Sequence, residues 1–255
     1  MVEATAGCPR SLGRAPRGSG RDISLLCLPY AGGASRSYDS WLSLLPRTID
    51  AQTIRVPGRE IRMDEPLPVD LRALAADLVS EIEDVIPPVW AVFGHSMGAL
   101  LAFELVREVR RRHGTEPSCL IVSGMRSPEK TASMRKYEHL DDAELIEELR
   151  RMGGTDAAVF DDPDLWELLG PIMRSDLVMC DHYVFKDDEP LSCPVVAIGS
   201  DGDDELDQRL LDGWGEHTSG SFETRMFPGN HFYFLDDPDA LARTVIRSAY
   251  HHGIR

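Results

Sequence analysis

No apolar run in the sequence approaches the ~18 residues of a membrane-spanning helix, so no such segment is expected. No Cys-x-x-Cys pair occurs, and no His/Cys group has metal-ligand spacing, so neither a metal nor a cofactor is expected. The five cysteines (Cys8, Cys27, Cys119, Cys180 and Cys193) form no even framework. Cys27 and Cys119 lie within apolar strand-like runs, as small buried thiols do in a reducing cytoplasm. Positive charge is in deficit: 27 Lys and Arg against 43 Asp and Glu give a net charge of -16. That balance argues against nucleic acid, whose phosphates call for a basic face. Residues 1–21 hold four arginines and one acid among Gly, Ser, Ala and Pro, and no apolar segment follows, so they do not read as a secretory signal. They read as a flexible N-terminal extension. There are no internal repeats, and no low-complexity tract beyond that extension.

What remains is a chain of 255 residues, 42% apolar, with material for a sizeable core in one domain over 22–255. Ile23 to Tyr30, Thr53 to Val56, Trp90 to Phe93, Leu120 to Val122, Pro194 to Ile198 and Phe222 to Phe227 read as short buried strands. Between them Leu71, Leu74, Leu78, Ile82, Val85 and Ile86 recur at helical spacing, and Ala99 to Arg112, Leu206 to Trp214 and Pro238 to His251 also read as helices. Strands alternating with helices predict an α/β fold, a mostly parallel sheet with helices on both faces. The alternation breaks over about 126–185, where Asp141 to Met152, Pro163 to Met173 and Ser175 to Val184 are helical and no strand signal is strong. This stretch reads as a helical insertion, or lid. Arg107, Arg110, Arg111 and Arg112 crowd one helix end. They suit either the electrostatics of a helix C-terminus or a docking patch for an acidic partner.

Gly94-His95-Ser96-Met97-Gly98 lies between an apolar strand and a long helix. In that context G-x-S-x-G resembles the nucleophile elbow of the α/β-hydrolases, in which a serine hydroxyl is held out at the carboxyl end of a strand. A serine needs a base to take its proton, and the base needs a carboxylate to orient it. In this fold the order along the chain is Ser, acid, His. Of eight histidines, His231 follows the last strand in Pro228-Gly229-Asn230-His231-Phe232, which puts it at the carboxyl edge of the sheet with Ser96. The acid belongs to Asp201-Gly202-Asp203-Asp204, after the preceding strand. Asp204 could serve as an N-cap, and spacing alone does not decide between Asp201 and Asp203. An oxyanion hole needs two backbone N–H groups: that of Met97, after the nucleophile, and one from Ala31-Gly32-Gly33, where glycines permit close backbone approach.

Together these residues resemble the type II thioesterases of polyketide and nonribosomal peptide assembly lines over about residues 22–250. Leu28-Pro29-Tyr30-Ala31-Gly32-Gly33, Pro57-Gly58-Arg59, the elbow, Cys193-Pro194-Val195 with Asp201-Gly202-Asp203, and Pro228-Gly229-Asn230-His231-Phe232-Tyr233 carry the resemblance. Arg151-Met152-Gly153-Gly154 and Arg174-Ser175-Asp176 in the insertion add to it. The resemblance implies Ser96 as nucleophile, His231 as base, Asp203 as acid, and Ala31 and Met97 as oxyanion donors. It also implies a cytoplasmic editing enzyme that removes stalled or aberrant acyl groups, short acids among them, from the phosphopantetheine arm of an acyl or peptidyl carrier protein. No nucleic acid or membrane is expected as a partner. The sequence departs from the family pattern at Tyr30, at Ser200 (often glycine) and at Asp204 (often proline). A general carboxylesterase or lipase shares the triad, and a product-releasing thioesterase shares the substrate class but is usually fused to a synthase. A non-enzymatic interaction module would leave Ser96 unreactive.

Overall fold

The computed structural model describes residues 9–13, 23–134 and 136–253. Six strands form one sheet: β1 (Ile23–Leu28), β2 (Ile49–Thr53), β3 (Trp90–His95), β4 (Cys119–Ser123), β5 (Val195–Ser200) and β6 (Phe222–Phe227). Their order across the sheet is β2-β1-β3-β4-β5-β6, and every adjacent pair is parallel. The helices are α1 (Asp39–Leu42), α2 (Leu71–Ile82), α3 (Met97–His113), α4 (Asp142–Met152), α5 (Ala157–Asp161), α6 (Pro163–Asp181), α7 (Gln208–Asp212) and α8 (Pro238–Gly253).

The period of two in each strand divides its side chains between two cores. Leu26 and Leu28 of β1, Trp90 and Val92 of β3, Leu120 and Val122 of β4, and Val195 and Ala197 of β5 pack with α2 and α3. The alternate residues Leu25, Cys27, Ala91, Phe93, Cys119, Ile121, Val196 and Ile198 pack with Trp41 of α1 and with Leu241, Ala242 and Val245 of α8. Burial on both faces is what makes these strands read as continuous apolar runs, and a parallel sheet requires it.

Three elements differ from the sequence expectation. β2 lies at 49–53, four residues before the predicted 53–56. Its Asp50 and Gln52 are buried and hydrogen-bonded to each other at 2.8 Å, so the strand carries polar residues where an apolar run is sought. Ile54 and Val56, the apolar residues that suggested the strand, are buried just beyond it. The two lid helices expected at 163–173 and 175–184 form a single helix, α6, with Pro171 inside it. Buried Ile172, Met173, Asp176, Leu177, Met179 and Cys180 hold its second half in line although Pro171 has no N–H to donate. Third, within the stretch expected to be a flexible extension, residues 9–13 are packed. Leu12 is buried and bridges Ile54, Gly13 N–H donates to Thr53 O at 2.7 Å, and Arg55 N–H donates to Ser11 O at 2.6 Å. The segment closes over the carboxyl end of β2 and the residues just beyond it. The rest of the extension lies outside the described residues.

Between β4 and β5 the described residues contain α4, α5, α6 and a 3-10 turn at Pro128–Ser133. α4 opens with a capping box in which Asp141 and Glu144 satisfy each other's backbone N–H. The arginines at the end of α3 are engaged within the chain. Arg107 meets Glu104 and Asp188, Arg110 meets Glu116 and Asp188, and Arg111 and Arg112 meet Glu108. This favours the helix-terminus reading of the cluster over the docking patch. No described helix is long and apolar enough to cross a membrane.

Candidate active site

In a parallel sheet every loop that follows a strand leaves at the same edge, and the crevice opens where the chain reverses its direction of travel across the sheet. Here that point lies between β1 and β3. Ala31 follows β1, Ser96 follows β3, Asp203 follows β5 and His231 follows β6. With Met97 they line one narrow cavity of about 60 Å³.

Ser96 joins β3 directly to α3 with φ 55° and ψ -123°. It is one of two non-glycine residues with positive φ among those described, the other being Glu60. Such backbone strain persists only where the surroundings over-determine it. At the elbow they do. Ser96 N–H donates to Ser123 O of β4 at 2.8 Å. A Cβ on Gly94 would stand 1.9 Å from Gly98 O, and one on Gly98 would stand 2.4 Å from Leu28 O. The glycines of the motif are therefore demanded by contact, one inside the turn and one against the loop that carries Ala31. Met97 is the first residue of α3, so its N–H has no acceptor within the helix.

Asp203 Oδ2 lies 2.6 Å from His231 Nδ1, and both side chains are largely buried. Burial raises the Asp203 carboxyl. The His231 hydrogen bond and charge, the Glu205 N–H and the Arg151 guanidinium together outweigh it and leave the group below the ordinary carboxylate range. Asp201 takes another role, accepting from Gly229 N–H at 3.3 Å. Asp204 is no helix cap; it pairs with Arg151 of α4 at 3.0 Å. The spacing that left Asp201 and Asp203 open in the sequence is thus resolved in distance to the imidazole. The structure brings Ala31, Ser96, Met97, Asp203 and His231 together.

The three departures from the family pattern each have a partner. Tyr30 packs edge-on against Phe232 with ring centroids 4.9 Å apart. Ser200 Oγ donates to Asn230 O at 2.7 Å, which fixes the peptide before His231. Asp204 holds Arg151 beside the acid.

Sequence reasoning missed His95 as a neighbour of the site. Its side chain turns away from the elbow and beneath it, fully buried, with its ring centroid 4.8 Å from that of His231. Ser123 Oγ lies 2.9 Å from His95 Nδ1 and 2.9 Å from the Tyr233 hydroxyl. Burial, and then the charge of His231, push the His95 imidazole well below the usual histidine range, so it is neutral. Arg151 was also missed as a residue beside the acid. Its motif is visible in the sequence, but a partner 53 residues away is not. Met125, Met134, Tyr137, Met152 and Leu177 give the same cavity an apolar wall. With Met97 this makes four methionines, flexible thioethers that can re-pack around different chains.

Known proteins resemble this chain in sequence and in fold. Residues 24–249 match the thioesterase domain family model. The gramicidin S biosynthesis protein GrsT of Aneurinibacillus migulanus is 35% identical over 218 residues, covering 86% of this chain and 85% of its own. The structure of RedJ, a thioesterase from the prodiginine biosynthetic pathway of Streptomyces coelicolor, superposes with a TM-score of 0.83 at 31% identity, covering 98% of this chain and 90% of that one. The type II thioesterase BorB from the borrelidin biosynthetic cluster gives a TM-score of 0.82 at 33% identity, covering 92% and 95%. The chain belongs to the thioesterase family and is an α/β-hydrolase acting on thioester bonds.

Proposed function

We propose that this chain removes acyl groups from the phosphopantetheine arm of carrier proteins, as an editing thioesterase of polyketide or nonribosomal peptide synthesis in the cytoplasm. The observation that carries the residue roles is the 2.6 Å Asp203–His231 contact in the cavity that Ser96 also lines. His231 takes the Ser96 proton through Nε2 while Asp203 holds Nδ1–H. Ser96 Oγ attacks the thioester carbonyl, and the oxyanion is received by the Ala31 and Met97 N–H groups. The C–S bond breaks, and His231 gives the proton to the leaving pantetheine thiolate. His231 then deprotonates a water that attacks the acyl-Ser96 ester, and the proton returns to Ser96 as the acid departs. A neutral, buried His95 beside His231 adds no positive charge opposing the imidazolium that forms. The methionine wall supports acceptance of several short acyl groups rather than one.

Intact-mass analysis of carrier proteins loaded with acyl chains of graded length tests this reading. The expected result is conversion to the bare pantetheine form, fastest for short chains. Ser96→Ala should lower the rate by a factor on the order of 10⁶, since a triad nucleophile has no substitute. A many-fold preference for plain oxoesters over carrier thioesters would assign the site to a general esterase instead. An unmodified Ser96 after treatment with a fluorophosphonate would remove the nucleophile from the account.

A further inference from the structure

The loop that carries Ala31 is held from outside by three charged side chains. Asp176 of α6 is wholly buried, and its Oδ2 accepts Gly32 N–H at 2.8 Å. The same carboxylate receives both terminal nitrogens of Arg59, each at 2.8 Å. Arg59 is itself buried and also donates to Gly33 O at 3.0 Å. Glu60 accepts Ser35 N–H at 3.0 Å and the Ser35 hydroxyl at 2.6 Å. Glu60 is the second residue with positive φ, at 53°. That turn aims two consecutive side chains, Arg59 and Glu60, at one loop. From above, Met173 of α6 closes on Gly32 so tightly that a Cβ there would stand 2.7 Å from Met173 Cγ.

A buried ion pair by itself is weak grounds for stability, because a well-packed apolar pair often serves as well. This pair does something an apolar pair could not: it terminates the N–H of Gly32, in the peptide that follows Ala31, and the C=O of Gly33, whose own N–H donates at 2.8 Å to Tyr30 O in the peptide that carries Ala31 N–H. With those groups fixed, the orientation of the preceding peptide is restricted too. Preorganisation of this kind is what gives an oxyanion donor its value.

We propose that Arg59 and Asp176 are positioning residues for the oxyanion hole, fixing the loop so that Ala31 N–H faces the cavity over Ser96. Because Asp176 belongs to α6, the donor is in place only while that lid helix is seated on the loop. The inference rests on Ser96 as nucleophile and Ala31 as oxyanion donor.

The test compares wild type with the double variant Arg59→Met/Asp176→Leu, which leaves no unpaired buried charge, and with Arg59→Lys, which keeps charge but loses the two-pronged contact. Active sites are counted by fluorophosphonate titration, so that partial misfolding does not register as slow catalysis. The double variant should lose about 10- to 100-fold in kcat per titrated site, below the full loss of an oxyanion donor, with KM changed less than about threefold. Affinity for an alkylboronic acid, whose serine adduct places an oxygen in the oxyanion position, should fall by the same factor as kcat. Arg59→Lys should lie between, and it carries the test if the double variant does not fold. A kcat per site within about threefold of wild type, or a lower kcat with unchanged boronate affinity, would overturn the inference and leave the thioesterase reading intact. A wild-type protein that neither hydrolyses acyl thioesters nor takes the fluorophosphonate at Ser96 would overturn both.

Discussion

Asp203 and Asp201 are the same functional group two positions apart, and the difference between them is what each carboxylate faces. Asp203 meets an imidazole at 2.6 Å; Asp201 meets the Gly229 N–H at 3.3 Å. Asp203→Asn should therefore lower kcat by a factor on the order of 10⁴, because an amide can stabilise the wrong imidazole tautomer. Asp201→Asn should stay within a few-fold of wild type in the same carrier-thioester assay, and the opposite ranking would move the acid by two residues. His95 governs a different observable. Buried and neutral, it has a folded pKa depressed below its unfolded value. Below about pH 6.5 the unfolded chain takes up a proton there that the folded chain refuses. Its contribution to stability is therefore present above that pH and falls away as the pH drops toward the folded value. His95→Gln should flatten the pH dependence of unfolding free energy between pH 6.5 and 5.5 by up to about 1.4 kcal/mol per pH unit. Urea unfolding at pH 5.5, 6.5 and 7.5 measures this, and equal slopes for the two proteins would mean that His95 is protonated in the fold.

At the scale of elements, legibility followed chemistry. β1, β3, β4, β5 and β6 could be read from sequence because each is bounded by turn residues, and most are apolar on both faces. β2 could not, because Asp50 and Gln52 answer each other inside the sheet and hide it from any hydropathy pattern. α6 was divided at Pro171 because local propensity favours a break there, and packing against the core overrode it. Ser96 and His231 were readable because parallel strands deliver their loops to one edge, a rule of topology. Arg59 and Asp176 showed only as motifs without roles: their contact spans 117 residues, and no local rule carries information that far. The N-terminal strap at 9–13 was read as loose because its composition is loop-like, yet Leu12 is 1% exposed. Leu12→Ala should cost about 2–4 kcal/mol, as large-to-small changes at buried sites do. Chemical denaturation measures it; a loss under about 0.5 kcal/mol, the scale of ordinary surface substitutions, would mean that the strap is undocked in solution.

The whole molecule carries a net charge of -16, and the resemblance to type II thioesterases implies carrier-protein partners that are acidic as well. Two bodies of like sign repel at long range, so electrostatic steering of the usual kind works against this encounter. A basic patch could reverse that locally. The densest arginine cluster, at the end of α3, is already committed to Glu104, Glu108, Glu116 and Asp188, and its local field is correspondingly reduced. Salt shortens the range of the repulsion, to about 10 Å at 0.1 M. It follows that kcat/KM for a carrier-bound acyl thioester should rise or stay level between 50 and 300 mM NaCl. The same measurement with an uncharged small-molecule thioester should stay level, since neither repulsion nor steering acts on it. If the carrier reaction instead fell steeply with salt while the small thioester did not, attraction would dominate the encounter. Charge reversal at exposed Arg111, which among the described residues pairs with Glu108, would then be the first place to look for it.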